Sequence, residues 1–118
     1  MKPDVGSAVF WQFFALGGFV VALLLPVHIV LFHAGTDLGL LQEDLTTFDG
    51  MLAWVGDPLV RIYLIVLVGG ALFHGAHRFK YVLFDLGMKR AYRPVGSLLY
   101  IIAGLATALT ALVAVFGV

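Results

Sequence analysis

Three long stretches of apolar residues, separated by two polar connections, set the pattern of this 118-residue chain. The middle stretch, Leu59–Phe84, directly follows Asp57-Pro58. As one helix it would be about 39 Å long, which exceeds the roughly 30 Å hydrocarbon thickness of a bilayer. The other two stretches, residues 9–32 and 95–116, contain no Lys, Arg, Asp or Glu. The pattern therefore predicts three transmembrane helices, near residues 9–32, 59–84 and 95–116.

Composition places the chain among membrane proteins. Hydrophobic residues make up 62% of it and charged residues only 12%, whereas a soluble domain has about 25% charged residues. We therefore expect an all-α membrane protein with one membrane-embedded domain, residues 1–118, whose apolar surface faces lipid or partner subunits. The net charge of zero gives no reason to expect nucleic-acid binding. The absence of cysteine excludes disulfides and Cys-ligated iron–sulfur clusters within the chain.

The two polar connections differ in charge, and this difference predicts the orientation. The first connection, residues 34–57, has five acidic residues and no basic one, and a short interfacial helix is expected near 47–55. Asp57 is the expected N-cap of the second span, with Pro58 as its first residue. The second connection is basic, with Lys80, Lys89, Arg90 and Arg93 against Asp85. The positive-inside rule therefore predicts a cytoplasmic N-terminus and a C-terminus on the outside.

Ionisable residues near the end of the second span are the candidate functional residues. His74, His77 and Arg78 have the i, i+3, i+4 spacing of one helix face, and Trp11 is expected at the same depth in the first span. A histidine can exchange protons and donate to a carbonyl oxygen, Arg supplies positive charge, and Trp supplies a flat apolar wall. Together, Trp11, His77 and Arg78 would suit the polar head of a quinone at the cytoplasmic interface. The structural alternative is that His74 hydrogen-bonds within a helix bundle and Arg78 extends to the lipid headgroups.

Haem binding and transport are the two competing functions. His28 and His74 are expected on the order of 15–20 Å apart in depth, so they cannot ligate one haem iron together. No haem is therefore expected within this chain, although a ligand from a partner chain stays open. A small multidrug transporter typically has four spans and an intramembrane carboxylate, and the sequence predicts neither.

Short motifs in a fixed order carry a resemblance to a known family. They are Val9-Phe10-Trp11, Gly17-Gly18 and Pro26-Val27 in the first span, Arg61 at the start of the second, and Phe73-His74-Gly75-Ala76-His77-Arg78 followed by Asp85-Leu86 at its end. With these motifs the chain resembles the D-subunit family of membrane anchors from haem-free, two-anchor quinol:fumarate reductases. The resemblance covers nearly the whole chain. It departs at Lys80 and Tyr81, where some members carry further histidines.

The resemblance implies a non-catalytic anchor in a bacterial cytoplasmic membrane, whose three transmembrane helices are part of a hetero-oligomeric helix bundle. Its implied partners are a second anchor of the C type, an iron–sulfur subunit and a flavoprotein subunit, and FAD and the iron–sulfur clusters belong to the latter two. Menaquinone would bind at a site shared with the partners, and the family's quinone-site residues match Trp11, His77 and Arg78. The alternative within this class is a haem-bearing succinate dehydrogenase anchor.

Overall fold

The computed structural model describes residues 5–117, with side chains from residue 8 onward, and the regular secondary structure in this range is entirely helical. The helices are α1 Val5–Ala34, α2 Phe48–Gly56, α3 Pro58–Asp85 and α4 Tyr92–Phe116. Helices α1, α3 and α4 are long and apolar enough to cross a membrane. The prediction of an all-α chain with three such helices is therefore confirmed. Residues 1–4 and 118, which belong to the predicted 1–118 domain, lie outside the described residues.

Helix α3 is the central element, because it packs against each of the other three helices. Helix α1 approaches it where Gly17 faces Gly70, so closely that a β-carbon on Gly17 would lie 3.1 Å from the Gly70 carbonyl oxygen. Helix α4 approaches it where a β-carbon on Gly69 would lie 3.0 Å from the Thr107 methyl group. The small residues seen in the sequence therefore permit close helix packing within this chain.

The boundary between α2 and α3 is set by local hydrogen bonds. Asp57 caps α3, since its carboxylate oxygen accepts from the backbone N–H groups of Leu59 at 2.7 Å and Val60 at 3.3 Å. Pro58 is the first residue of α3, where its missing N–H leaves no hydrogen bond unmade. Both expectations for this boundary are confirmed. Thr47 caps α2 in the same way by accepting from the N–H of Gly50 at 3.1 Å.

The second connection is short and basic. It runs over residues 86–91 and turns at Gly87, whose φ of +81° is a left-handed conformation that glycine adopts without strain. Lys89 and Arg90 lie in this turn, while Lys80 and Arg93 lie within the adjoining helices. The end of the bundle formed by the start of α1, the end of α3 and the start of α4 is therefore the basic end.

The outer surface of the three long helices is apolar. Large side chains on α1 such as Phe13 and Phe19, both 65% exposed, point away from the rest of the chain, as does Leu105 on α4 at 66%. Such a surface in water would favour aggregation, whereas it matches the hydrocarbon of a bilayer. Together with the three long apolar helices, it identifies the chain as a membrane protein.

Candidate functional site

Five aromatic or imidazole side chains from three helices meet near the basic end of the bundle. We call this group the aromatic cluster: Trp11 and Phe14 from α1, His77 and Tyr81 from α3, and Tyr100 from α4. His77 is at the centre, with ring centroids 4.3 Å from Phe14, 4.9 Å from Tyr81, 5.2 Å from Trp11 and 6.1 Å from Tyr100. The cluster lies about two helical turns from the basic end.

His77 is buried, and only one of its two ring nitrogens has a hydrogen-bond partner. Its side chain is 5% exposed. Its Nδ1 shares a hydrogen bond of 2.5 Å with the Tyr100 hydroxyl. Its Nε2 is the one buried side-chain nitrogen or oxygen in the described part of the chain that lacks a partner. Because an unpartnered buried polar atom costs about 1–3 kcal/mol, this nitrogen is the place where the bundle would gain most from a polar ligand.

The structure brings together two of the three site residues that the sequence predicts. Trp11 contacts His77 edge to face, with an interplanar angle of 71°, and is 50% exposed. Arg78 directly follows His77 in α3, so its side chain leaves the helix about 100° further round. It is exposed on the surface beside the cluster.

His74 is used within the bundle. Its Nδ1 donates to the backbone carbonyl oxygen of Phe14 at 3.1 Å, and its ring stacks on the Phe14 ring at 4.4 Å. It lies directly over Gly18, where a β-carbon would be only 2.7 Å from the imidazole Cε1. These contacts match the structural interpretation of His74.

Lys80 and Tyr100 belong to the site, although the sequence analysis did not predict a role for them. The Lys80 ammonium lies over the rings of Tyr81, Tyr92 and Tyr100 at 5.5, 5.8 and 5.6 Å. Its aliphatic stem covers Gly96, where a β-carbon would be 2.6 Å from the Lys80 Cδ. The signal available in the sequence was Tyr100 itself, because a tyrosine hydroxyl inside an apolar span needs a hydrogen-bond partner.

An apolar groove of about 440 Å³ runs along the α1–α3 contact beside the aromatic cluster. It begins at Phe10, whose ring is 5.8 Å from that of Tyr100. The lining residues are Phe10, Phe13, Leu16, Gly17, Val20, Ile65, Val66, Gly69, Gly70, Phe73 and Thr107. The groove can therefore hold a chain-like apolar group with one end next to the cluster.

His28 lies near the opposite end of the bundle. Its Nδ1 is 3.1 Å from the Tyr63 hydroxyl, and its ring lies against Trp54. Because Tyr63 and His74 are eleven residues apart on α3, their levels differ by about 16 Å. His28 and His74 therefore lie at different depths, as the sequence predicts. Within residues 5–117 no group of three or more His, Asp or Glu side chains is close enough to hold a metal ion.

Comparison with known proteins identifies the family. The family model described as the D subunit of fumarate reductase matches residues 5–116. The chain belongs to the fumarate reductase D-subunit family. The curated relatives include the fumarate reductase D subunits of Mycobacterium tuberculosis (strain H37Rv) and of Mycobacterium bovis (strain BCG / Pasteur), each 43% identical over 79 residues. That alignment covers 67% of this chain and 61% of each mycobacterial relative, so the match spans less than two thirds of their length.

A more distant member of the D-subunit family aligns over more of the chain. The fumarate reductase D subunit of Vibrio vulnificus is 26% identical over 102 residues, which is 86% of this chain and 80% of that relative. The family match contains all three long helices and every member of the aromatic cluster. The resemblance inferred from the short motifs is therefore confirmed at the level of the family.

Proposed function

We propose that this chain is a non-catalytic membrane anchor of a quinol:fumarate reductase and that it forms part of the site where menaquinol is oxidised. Membership of the D-subunit family and three apolar spans support the anchor role. The observation that supports the quinone site is the buried, unpartnered Nε2 of His77, whose ring contacts Trp11 near the basic end of the bundle.

The residues of the site fit the head group of a quinone. A bound quinol supplies two electrons and two protons when it is oxidised. In our proposal His77 uses Nε2 to hydrogen-bond a quinone oxygen, and the Trp11 indole provides a flat apolar wall. Arg78 contributes a fixed positive charge at the surface of the site. The apolar groove that begins at Phe10 has the lining and the volume for part of the prenyl tail.

Access to His77 is through its exposed neighbours. Trp11 is 50% exposed and Tyr81 is 36% exposed, and both rings contact the buried imidazole of His77. Exposed side chains change rotamer within picoseconds to nanoseconds. In our proposal rotation of one of these rings makes room for the quinone head, which would also satisfy the unpartnered nitrogen.

The proposed complex supplies the parts that this chain does not carry. A second anchor of the C type would pair with the apolar helices in the lipid, while an iron–sulfur subunit and a flavoprotein with FAD would carry the electrons to fumarate. In this arrangement residues 1–118 act as a single membrane-anchor domain, and no haem is required. We propose no nucleic-acid partner.

The proposed location is the bacterial cytoplasmic membrane, with the N-terminus inside and the C-terminus outside. The support is the basic end of the bundle, where Lys89 and Arg90 occupy the turn between α3 and α4. An Asp85→Cys variant tests this orientation with a membrane-impermeant thiol reagent. The cysteine should be labelled only after the cytoplasmic side is exposed, and labelling from the outside of intact cells would contradict the orientation.

The quinone site is tested by comparing two activities of the same assembled complex. Loss of one hydrogen bond costs about 0.5–1.5 kcal/mol, and about 1.5–3 kcal/mol if one partner is charged. Since 1.4 kcal/mol is a factor of ten in rate, His77→Ala should slow menaquinol-dependent fumarate reduction about ten-fold or more. Fumarate reduction driven by a soluble dye should continue, because it bypasses the anchor.

His28→Ala is the matched control. It also removes an imidazole that hydrogen-bonds a tyrosine hydroxyl, but near the opposite end of the bundle, and it should keep quinol-dependent turnover close to wild type. Equal loss of quinol- and dye-dependent turnover in His77→Ala would indicate failed assembly. Unchanged quinol-dependent turnover in both His77→Ala and Arg78→Ala would mean that the quinone site lies elsewhere.

A further inference from the structure

We propose that Tyr100 is a positioning residue of this site. Its hydroxyl donates to Nδ1 of His77, and this places the hydrogen of the neutral imidazole on Nε2. Nε2 is the nitrogen that the proposed function assigns to the quinone oxygen, so this inference rests on that function. Helix α4 thereby takes part in quinone binding through a residue that need not touch the quinone.

The direction of the hydrogen bond follows from counting donors and acceptors. A neutral imidazole has one N–H donor and one acceptor nitrogen, and a tyrosine hydroxyl has one hydrogen to donate. Nδ1 of His77 is the only hydrogen-bond partner of the Tyr100 hydroxyl within residues 5–117. If Nδ1 carried the hydrogen, the Tyr100 O–H would have no acceptor and Nε2 no donor. If Tyr100 donates, the one group left unsatisfied is the N–H at Nε2.

The same bond fixes the orientation of the ring. Without a partner at Nδ1, the imidazole could turn about its Cβ–Cγ bond and exchange the positions of its nitrogen and carbon atoms. The 2.5 Å contact with Tyr100 and the stack on Phe14 hold a single orientation. A hydrogen-bond donor that is held in place before the ligand arrives loses less entropy on binding.

The Tyr100 ring has contacts of its own, which a change confined to the hydroxyl would keep. The ring lies 5.8 Å from that of Phe10 and under the ammonium of Lys80 at 5.6 Å. Tyr100→Phe removes only the oxygen that reaches His77. Tyr92→Phe is the matched control, because Tyr92 is also on α4 and also under Lys80 but bonds to Arg93 instead of His77.

The experiment compares quinol-dependent with dye-dependent fumarate reduction in the assembled complex, so that loss of assembly cancels in the ratio. Tyr100→Phe should lower quinol-dependent turnover per dye-active complex about three- to ten-fold, the effect of losing one neutral hydrogen bond. Tyr92→Phe should leave this ratio unchanged. An unchanged ratio in Tyr100→Phe would overturn the proposal.

A double variant separates positioning of His77 from an independent effect on packing. If Tyr100 acts through His77, then His77→Ala combined with Tyr100→Phe should be no slower than His77→Ala alone. Multiplicative losses in the double variant would overturn the positioning role and leave the proposed function intact. If His77→Ala alone left quinol-dependent turnover unchanged, this inference would fail. The same result in Arg78→Ala would refute the proposed quinone site as well.

The pH profile of quinol-dependent turnover is a second readout, which a purely structural role would not move. The titratable groups that face His77 are His74, Lys80 and Tyr81 on α3 and Tyr100 on α4. From α1, whose side chains are described from residue 8 onward, the uncharged rings of Trp11 and Phe14 face it. Tyr100→Phe should displace the profile, and Tyr92→Phe should not. A profile that coincides with wild type in Tyr100→Phe would contradict the assigned hydrogen bond.

Discussion

Replacement of Gly18 by alanine tests the contact that joins α1 to α3 beneath the aromatic cluster. The added β-carbon would lie 2.7 Å from Cε1 and 2.8 Å from Nδ1 of the His74 imidazole. Carbon atoms in contact normally lie about 3.5–4.0 Å apart, so the ring has to move by about 1 Å. Movement on this scale breaks the 3.1 Å hydrogen bond to the Phe14 carbonyl and disturbs the parallel stack on the Phe14 ring.

The magnitude follows from the two lost interactions. A hydrogen bond contributes about 0.5–1.5 kcal/mol, and an aromatic stack contributes about 0.5–1.5 kcal/mol beyond its buried area. Their sum is about 1–3 kcal/mol. Alanine in place of a helical glycine stabilises the helix by about 1 kcal/mol, because alanine has the higher helix propensity. Gly18→Ala should therefore range from neutral to about 2 kcal/mol less stable than wild type.

Gly75→Ala on α3 is the control, because a β-carbon there meets open space within 4 Å. It gains the same helix propensity without a clash, so it should be about 1 kcal/mol more stable than wild type. The assay heats the purified complex in mild detergent and follows, by gel filtration, the temperature at which half of it has lost its anchor. We expect Gly18→Ala to lose its anchor at a lower temperature than Gly75→Ala.

Equal stability of the two alanine variants would refute this reasoning, because it would show that His74 moves away from Gly18 at no cost. A secondary effect on function is also expected. Phe14 stacks on both His74 and His77, so a displaced His74 ring should lower quinol-dependent turnover in Gly18→Ala while dye-dependent turnover stays unchanged.

Three further predictions concern the hydrogen bonds of the connections and of the far end of the bundle. Asp57→Ala removes the N-cap of α3, which should lower stability by about 1 kcal/mol and speed deuterium exchange at the first amides of α3 about five-fold. Unchanged exchange would contradict the capping role. Two hydrogen bonds from Thr46 hold the pKa of Asp44 below its ordinary value of about 3.9; the bond from the side chain has the larger effect and the bond from the backbone N–H the smaller one. Ionised Asp44 therefore contributes its full stabilisation at pH values above the ordinary pKa, and this stabilisation is lost as the pH falls through the lowered pKa of the folded state. Thr46→Val should raise the Asp44 pKa in a carboxyl NMR titration. Tyr63→Phe removes the hydroxyl bonded to His28 and should lower thermal stability while leaving quinol-dependent turnover intact, which heating and turnover assays on one preparation can check.

Much of the fold was readable from the sequence, because it depends on interactions local to each segment. A bilayer excludes charge, so uncharged stretches as long as residues 9–32 and 95–116 predict spans regardless of what surrounds them. Asp57 and Pro58 start α3 through their own backbone neighbours. The shared depth of Trp11 and His77 followed from counting residues from the helix ends, and the structure brings the two rings into contact.

The rotation of each helix about its axis was decided by tertiary packing alone. Helices that are apolar on nearly every side carry no polar stripe to mark the inward face, so residue spacing leaves the rotation open. Gly17 against Gly70 and Gly69 against Thr107 settle it through close approach between helices. The stability of that arrangement depends on all the contacts together, and no single segment contains the information.

The chemistry at His77 depends on this rotation. His77 and Tyr100 are 23 residues apart on different helices, and their hydrogen bond forms because α4 turns the tyrosine towards α3. The same rotation places Lys80 over three tyrosine rings and leaves Arg78 on the surface. The sequence alone determined the residue types available at this end of the membrane. Tertiary structure decided which nitrogen of His77 has a hydrogen-bond partner and which has none, because a hydrogen bond requires two groups from separate helices to meet within about 3 Å.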